Sequence, residues 1–356
     1  MIASNHSIRR KHVHTAVRIC IILSVLVGTP SLWAQDQAAT ELLHEVASKG
    51  WIAYNARSEN GTWDLFLSRP DGSHRLNITN TPDYEEVAPR FSPDNTRILY
   101  RRLLQGKPIN HDLWGFEGEL CISDSDGNNL QVIGKDGEYP WASWSPDGKQ
   151  ILCLTRKAIQ IVDLATKKVL REFPRQGIYQ QLFWSPDGKW LIGTGNVQGK
   201  NWRVVRINAE SGELNVVTLT QSCTPDWFPD SVRVIYSTRP ENQKSNKGYG
   251  WTQLFFADGN GENPQLIYAE EGYHVYGGTV SPDAKYVLFT KFPDDGGGAE
   301  GSGAPVYLMR MADAPTIHGE SPELRSQYPS AKNGTIAHLF QGWEPCWTYA
   351  EIIKEK

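Results

Sequence analysis

The phrase Ser-Pro-Asp, or a near copy of it, returns five times along the chain, each time just ahead of a strand-like apolar run. The copies are FSPDN (91–95), WSPDG (144–148), WSPDG (184–188), WFPDS (227–231) and VSPDA (280–284), with aspartates at 94, 147, 187, 230 and 283. The runs that follow are RILYRR, QILCLT, WLIGTG, RVIYST and YVLFTK. Proline at the second position of a type I turn presets φ, and a serine at the first bonds back to nearby backbone. Each run is too short for a helix and apolar enough for a buried strand. The unit is therefore a hairpin, repeated every 40–53 residues. A repeat of that period built only from strands predicts an all-β fold, a β-propeller of four-stranded blades around a central channel.

Each repeat divides into strands a to d. The second full copy gives WASW, QILCLT, AIQIVDL and KVLREF, and the next gives LFW, WLIGTG, WRVVRINA and NVVTLT. The two ends of the chain complement one another. Residues 51–56, 63–68 and 74–79 read as strands b, c and d with no strand a before them, while HLFQGWEPCWTY (338–349) reads as a strand d followed by a strand a. The expectation is six blades over residues 51–349, with the ring closed by pairing the C-terminal strand to the N-terminal blade so that no sheet edge stays open. The aspartate of each turn is expected to bond local amides and to have no ligand.

With these repeats in hand, NTPDYEEVAPRFSPDNTRILY (80–100) and EYPWASWSPDGKQILCL (138–154) resemble the repeat of the TolB-type six-bladed propellers, also called WD40-like or PD40 repeats. The resemblance extends over nearly all of 51–349 and matches the propeller portion of that family. It implies the fold and names no ligand.

The chain opens with a basic stretch (Arg9, Arg10, Lys11, Arg18), an apolar run from Ile19 to Gly28, and TPSLWA. That is the layout of a secretory signal peptide over 1–34, cut after Ala34, with an apolar run too short to span a membrane. A short segment, 35–50, has helical character, and 350–356 form a tail. The product is expected to be periplasmic or secreted, not membrane-spanning after cleavage, and monomeric. Losing the leader takes the formal charge from −4 to −8, which disfavours a nucleic-acid partner because phosphate neutralisation needs a basic surface. Cys121, Cys153, Cys223 and Cys346 have no metal-type spacing; export permits disulfides, but their strand positions in different repeats favour buried free thiols.

In a propeller the a–b and c–d turns share one face, and the b–c loops and d–a links the other. Three b–c loops are long, following Arg102, Thr238 and Lys291, and all leave the face opposite the Ser-Pro-Asp turns. Long loops on a rigid scaffold are where binding tends to reside. The glycine run after Asp295 lacks the lysine and strand–helix setting of a phosphate loop. Counting back from each turn places Glu86, Tyr139, Trp141, Tyr179, Gln181, His274, Tyr276, Trp343 and Glu344 at the channel mouth, with His111 and Trp114 in the first long loop. Aromatics interspersed with carboxylates and amides can stack on sugars or grip peptide side chains; the same aromatics can also wedge blades together. The expected function is binding of a protein or glycan partner of the cell envelope at this mouth. The alternative is a polysaccharide-acting lyase or hydrolase that uses carboxylates with His111 or His274. No cofactor, no metal and no catalytic residue are predicted: no Gly-x-Ser-x-Gly elbow occurs. The polar stretch 313–334 is an oversized c–d connection of unassigned role.

Overall fold

The computed structural model describes residues 32–107, 117–139, 141–239, 251–294, 303–317 and 334–353. The leader up to residue 31, His111 and Trp114, the cores of the three long b–c loops and residues 318–333 lie outside the described residues.

A helix, α1 (Leu32–Val46), precedes three strands, β1 (Trp51–Arg57), β2 (Trp63–Ser68) and the short β3 (Leu76–Asn77). Four antiparallel four-stranded sheets follow. The first holds β4 (Tyr84–Phe91), β5 (Arg97–Leu104), β6 (Glu119–Asp124) and β7 (Gln131–Gly134); the second β8 (Trp141–Trp144), β9 (Gln150–Leu154), β10 (Ala158–Asp163) and β11 (Val169–Pro174). The third holds β12 (Ile178–Trp184), β13 (Trp190–Val197), β14 (Lys200–Asn208) and β15 (Leu214–Val216); the fourth β16 (Gln221–Trp227), β17 (Arg233–Arg239), β18 (Gln253–Asp258) and β19 (Gln265–Ala269). The last strands are β20 (Tyr273–Val280), β21 (Tyr286–Pro293), β22 (Ala304–Arg310) and β23 (Ile336–Thr348). They join the first three strands in a seven-stranded sheet of order β20-β21-β22-β23-β1-β2-β3. The 13-residue β23 pairs with β22 through Gly342 and with β1 from Trp343 onward. The sequence reads a strand d and then a strand a here; the chain makes one unbroken strand of both.

The strand b runs show no apolar–polar alternation, because both of their faces are covered by neighbouring blades. Ile151 to Leu154 are all fully buried, as are Val234 and Ile235. Val234 and Tyr236 pack toward Ile192 and Val204 of the preceding sheet, whereas Ile235 packs toward Val275 and Val287 of the following one. Each such aliphatic side chain contributes roughly 1.5–3 kcal/mol on burial.

The turns that carry the repeat are held by their own side chains. In four of them the serine hydroxyl donates to the aspartate (Ser92, Ser145, Ser185 and Ser281, 2.6–2.7 Å) and accepts the amide five residues on (2.9–3.0 Å). The aspartates also accept the amides of Thr96, Lys149, Lys189 and Lys285. Phe228 takes the serine's place in the fifth turn, and there Asp230 accepts the amides of Val232 and Arg233. Hydrogen bonding from Ser92 and Ser145 holds Asp94 and Asp147 below the usual carboxylate range. These aspartates are built into the turns, so they are not free for a ligand.

α1 packs on the sheet where the two chain ends meet. Leu42 and Val46 are fully buried among Tyr54, Tyr286, Leu288, Val306, Leu308 and Trp347. Glu45 accepts from Arg310 Nε (2.8 Å) and Nη2 (2.6 Å) and from the Tyr286 hydroxyl. The Arg310 contact, ahead of that of Tyr286, holds the Glu45 carboxyl below its ordinary range. Among the described residues no helix is long and apolar enough to cross a membrane.

Candidate binding site at the channel

The innermost strands reach the channel through bulges. In β4, β12, β16 and β20 the ladder slips between Val87 and Arg90, Gln180 and Phe183, Cys223 and Asp226, and Tyr276 and Thr279. In β23 it slips opposite Ala53 and Asn55. The bulges turn at Ala88, Gln181, Thr224, Gly277 and Glu344, all left-handed with φ of 51–65°. Each lies three residues before the side chain that opens the next turn, so the distortion repeats in register. Such a backbone costs an L-residue roughly 1–2 kcal/mol, and only Gly277 escapes that cost. Trp141 holds the matching place in β8, whose ladder with β9 is unbroken. A bulge re-aims the residues that follow it, and here it turns Arg90, Phe183, Asp226 and Thr279 onto one cavity, shared with Gln181, Thr224, Tyr276, Trp343 and Glu344.

The cavity is about 30 Å³, room for roughly one or two waters. Arg90 Nη2 donates to Glu344 Oε2 at 2.6 Å, and Nη1 to the carbonyls of Pro89 (2.9 Å) and Glu344 (3.2 Å). Its guanidinium lies 5.0 Å from the Phe183 ring centre. Burial opposes the charge on Arg90, but Glu344 outweighs it and raises the Arg90 pKa. Asp226 accepts from Thr279 Oγ1 (2.9 Å) and the Trp227 amide (2.8 Å). Burial holds the Asp226 carboxyl above its ordinary range despite Arg90, and burial also pushes the Cys346 thiol up to about 11. One cation and two carboxylates thus form a fixed belt around this cavity.

Of the residues expected at the mouth, Gln181, Tyr276, Trp343 and Glu344 line this cavity. Tyr276 and Trp343 belong to a buried cluster with Trp63, Phe292 and Ala304. The His274 ring lies 4.7 Å from Tyr276 and 5.1 Å from Phe292, with Nδ1 3.4 Å from Thr252 Oγ1. Tyr179 is half-buried. Three others are packed between blades, away from the cavity. Tyr139 covers Gly134, where a Cβ would come within 2.3 Å of its ring. Trp141 joins Leu152 and Leu154 in the core, with the buried Arg101 guanidinium 5.6 Å away; burial pulls Arg101 down to about 10. Glu86 is fully buried, accepts from the Thr81 hydroxyl, and is pushed by burial up to about 7. Its neighbour Glu85 brackets the amides of Trp63 (2.6 Å) and Gly106 (3.1 Å). All four cysteines among the described residues are free thiols, and no group of three or more His, Cys, Asp or Glu there is placed to hold a metal ion.

Arg90, Asp226 and Thr279 are absent from the residues expected from sequence. A signal for them is present: Ala-Pro-Arg-Phe (88–91), Thr-Pro-Asp-Trp (224–227) and Glu-Pro-Cys-Trp (344–347) place a proline at the same step of three inner strands. Proline inside a strand pattern marks a bulge or an edge.

No family model matches the chain, and no curated protein matches it. Solved structures do. TolB from Acinetobacter baumannii shares 18% identity over 90% of this chain and 74% of its own, with a TM-score of 0.55. In fold the chain is a TolB-like β-propeller. A chain of the nidogen/laminin complex is similar at 8% identity over 76% of this chain and 92% of its own length, with a TM-score of 0.52. Oligogalacturonate lyase in complex with manganese is matched at 13% identity, over 73% of this chain and 69% of its own, with a TM-score of 0.43. At such identities the likeness concerns the fold.

Proposed function

We propose that the protein is an exported, monomeric, six-bladed propeller that binds a protein or glycan partner of the cell envelope at the loop-rich mouth of its channel. On this reading β23 serves two blades, as the outermost strand of β20–β22 and the innermost strand of β1–β3, so the seven-stranded sheet counts as two blades and closes the ring. Contacts between the chain ends support that count. β4 packs against β1, β2 and β23, Arg90 holds Glu344, and Thr348 Oγ1 donates to Asn95 Oδ1 at 2.8 Å. Arg69 grips Glu351 through two bonds of 2.8 and 2.9 Å. The basic and apolar leader supports export, and the acidic mature chain supports a partner other than nucleic acid.

The observation that carries the binding role is the convergence of five inner-strand bulges, four of them strained, on one polar cavity. Backbone strain of this kind persists where the surroundings impose it and concentrates at ligand clamps. Because the cavity is small, the ligand is met at its rim, by Tyr179, Gln181, Tyr276 and Trp343, and does not thread the ring. The test is capture of envelope proteins and of arrayed glycans by the wild type and by a Tyr179→Ala/Gln181→Gly variant. Glycine suits the left-handed φ of 54° at 181, so the fold is kept while the amide is lost. The proposal expects at least one captured partner to drop tenfold or more in the variant at an unchanged melting temperature. Full retention of every partner would contradict it.

A further inference from the structure

A second concavity, distinct from the channel, opens on the loop-rich side of the blade formed by β1–β3. It has a volume of about 560 Å³ and is lined by the β1–β2 loop (Arg57, Ser58, Glu59, Asn60) and by Phe66, Arg75, Asn77 and Asn80. The lining presents two arginines and one glutamate, with the buried Asp64 carboxylate beneath it.

Its walls are held in place from beneath. Asn77 donates to the fully buried Asp64 and accepts the amides of Thr79 (3.2 Å) and Asn80 (3.0 Å). Asn60 Nδ2 donates to Asn80 Oδ1 at 3.2 Å, which joins the two rims. That bond leaves the Asn60 carbonyl as an acceptor and the Asn80 amide as a donor, a pairing that suits a sugar hydroxyl. Arg75 stacks on Phe66 with its guanidinium carbon 4.1 Å from the ring centre, and Nη2 reaches the Arg57 carbonyl at 3.4 Å. Arg57 lies 5.6 Å from the Trp63 ring centre and donates to the Gly61 carbonyl. Arg75 makes no ion pair among the described residues; its guanidinium lines the groove over Phe66, with the Tyr54 side chain beside it, and the donors it keeps there suit a carboxylate.

We propose that this groove binds an acidic saccharide, with a uronate carboxylate on Arg75 and Arg57 and neighbouring hydroxyls on Asn60 and Asn80. The lining favours a sugar over an acidic peptide. Phe66, its one large apolar side chain, is covered by Arg75, and β3 alongside is two residues long, too short to offer an extended peptide a sheet edge.

The experiment is calorimetric titration of the whole protein with two matched pairs. Tetramannuronate is compared with mannotetraose, which differs in carrying CH₂OH for the carboxylate, and tetragalacturonate is compared with its methyl ester. At least one uronate is expected to bind, its uncharged counterpart at least tenfold more weakly, and the affinity to fall as salt rises. Arg75→Gln should weaken binding tenfold or more, and Asn80→Gly, which keeps the left-handed backbone at residue 80, severalfold. Binding of neither uronate, equal binding of the charged and uncharged members, or indifference to Arg75→Gln overturns the proposal. Hexaglutamate binding in an Arg75-dependent way while both uronates fail would assign the groove to acidic peptides and overturn it as well. The outcome is independent of the channel, because Tyr179→Ala/Gln181→Gly should leave these titrations unchanged.

Discussion

Arg90→Ala is expected to lower stability by about 3–5 kcal/mol, read as a fall in the urea midpoint with little change in slope. The side chain is the cation of the channel belt, and truncation leaves Glu344 and Asp226 facing each other without it. Breaking a buried pair by removing one partner costs far more than the pair contributes, because the remaining charge stays desolvated. The pH dependence has a definite sign. Asp226 already lies above its ordinary range through burial, and loss of Arg90 raises it further. A carboxyl whose folded pKa exceeds its unfolded value favours the fold at pH below the unfolded value, and that contribution is lost as pH rises through the folded one. The variant should therefore be more impaired at pH 8 than at pH 5. An Arg90→Met/Glu344→Gln double variant should recover the part of the loss due to Glu344, with Asp226 the one belt carboxyl left without its cation. A loss below 1 kcal/mol in Arg90→Ala, or a larger deficit at pH 5, would show that the belt is solvated.

Gly342→Val carries the second large effect, roughly 3 kcal/mol of destabilisation from overpacking. Residue 342 is where β23 stops pairing with β22 and begins to pair with β1. A Cβ there would lie 2.7 Å from the Tyr54 ring and 2.9 Å from the Asn55 carbonyl. Tyr54 cannot retreat, because its ring is stacked on Phe340 with centroids 3.7 Å apart. The strand must shift at the point where the chain ends meet, so the melting temperature should fall by several degrees. An unchanged melting temperature would mean that β23 and β1 are not in this contact.

The blades were legible in sequence because the Ser-Pro-Asp turn uses side chains bonded to their own backbone, and such local chemistry leaves a fixed phrase. The strand b runs were legible for a related reason: a strand covered on both faces has no polar side. The channel was harder to read. Counting back from Phe91 or Trp227 assumes an unbroken strand, and the bulges at Ala88 and Thr224 break that count. The slip hid Arg90 and Asp226; Glu86, Tyr139 and Trp141 lie instead in the spaces between blades, where burial and not solvent sets their properties. The groove at Arg75 was illegible for another reason. Its rims are 15–20 residues apart along the chain, and no phrase links Asn60 to Asn80 or Arg75 to Phe66.

The central claim is a ring closed by β23, from which the mouth and its ligand follow. Ala53 of β1 lies directly opposite Cys346 of β23, and both sit in one buried cluster, a spacing that a cross-strand disulfide can bridge. In an Ala53→Cys variant, mild oxidation of the folded protein should join positions 53 and 346, seen as one linked peptide by mass spectrometry and as faster migration on a non-reducing gel. Native, folded protein in which both thiols stay reduced, or in which residue 53 couples to Cys153 or Cys223 instead, would contradict the closed ring.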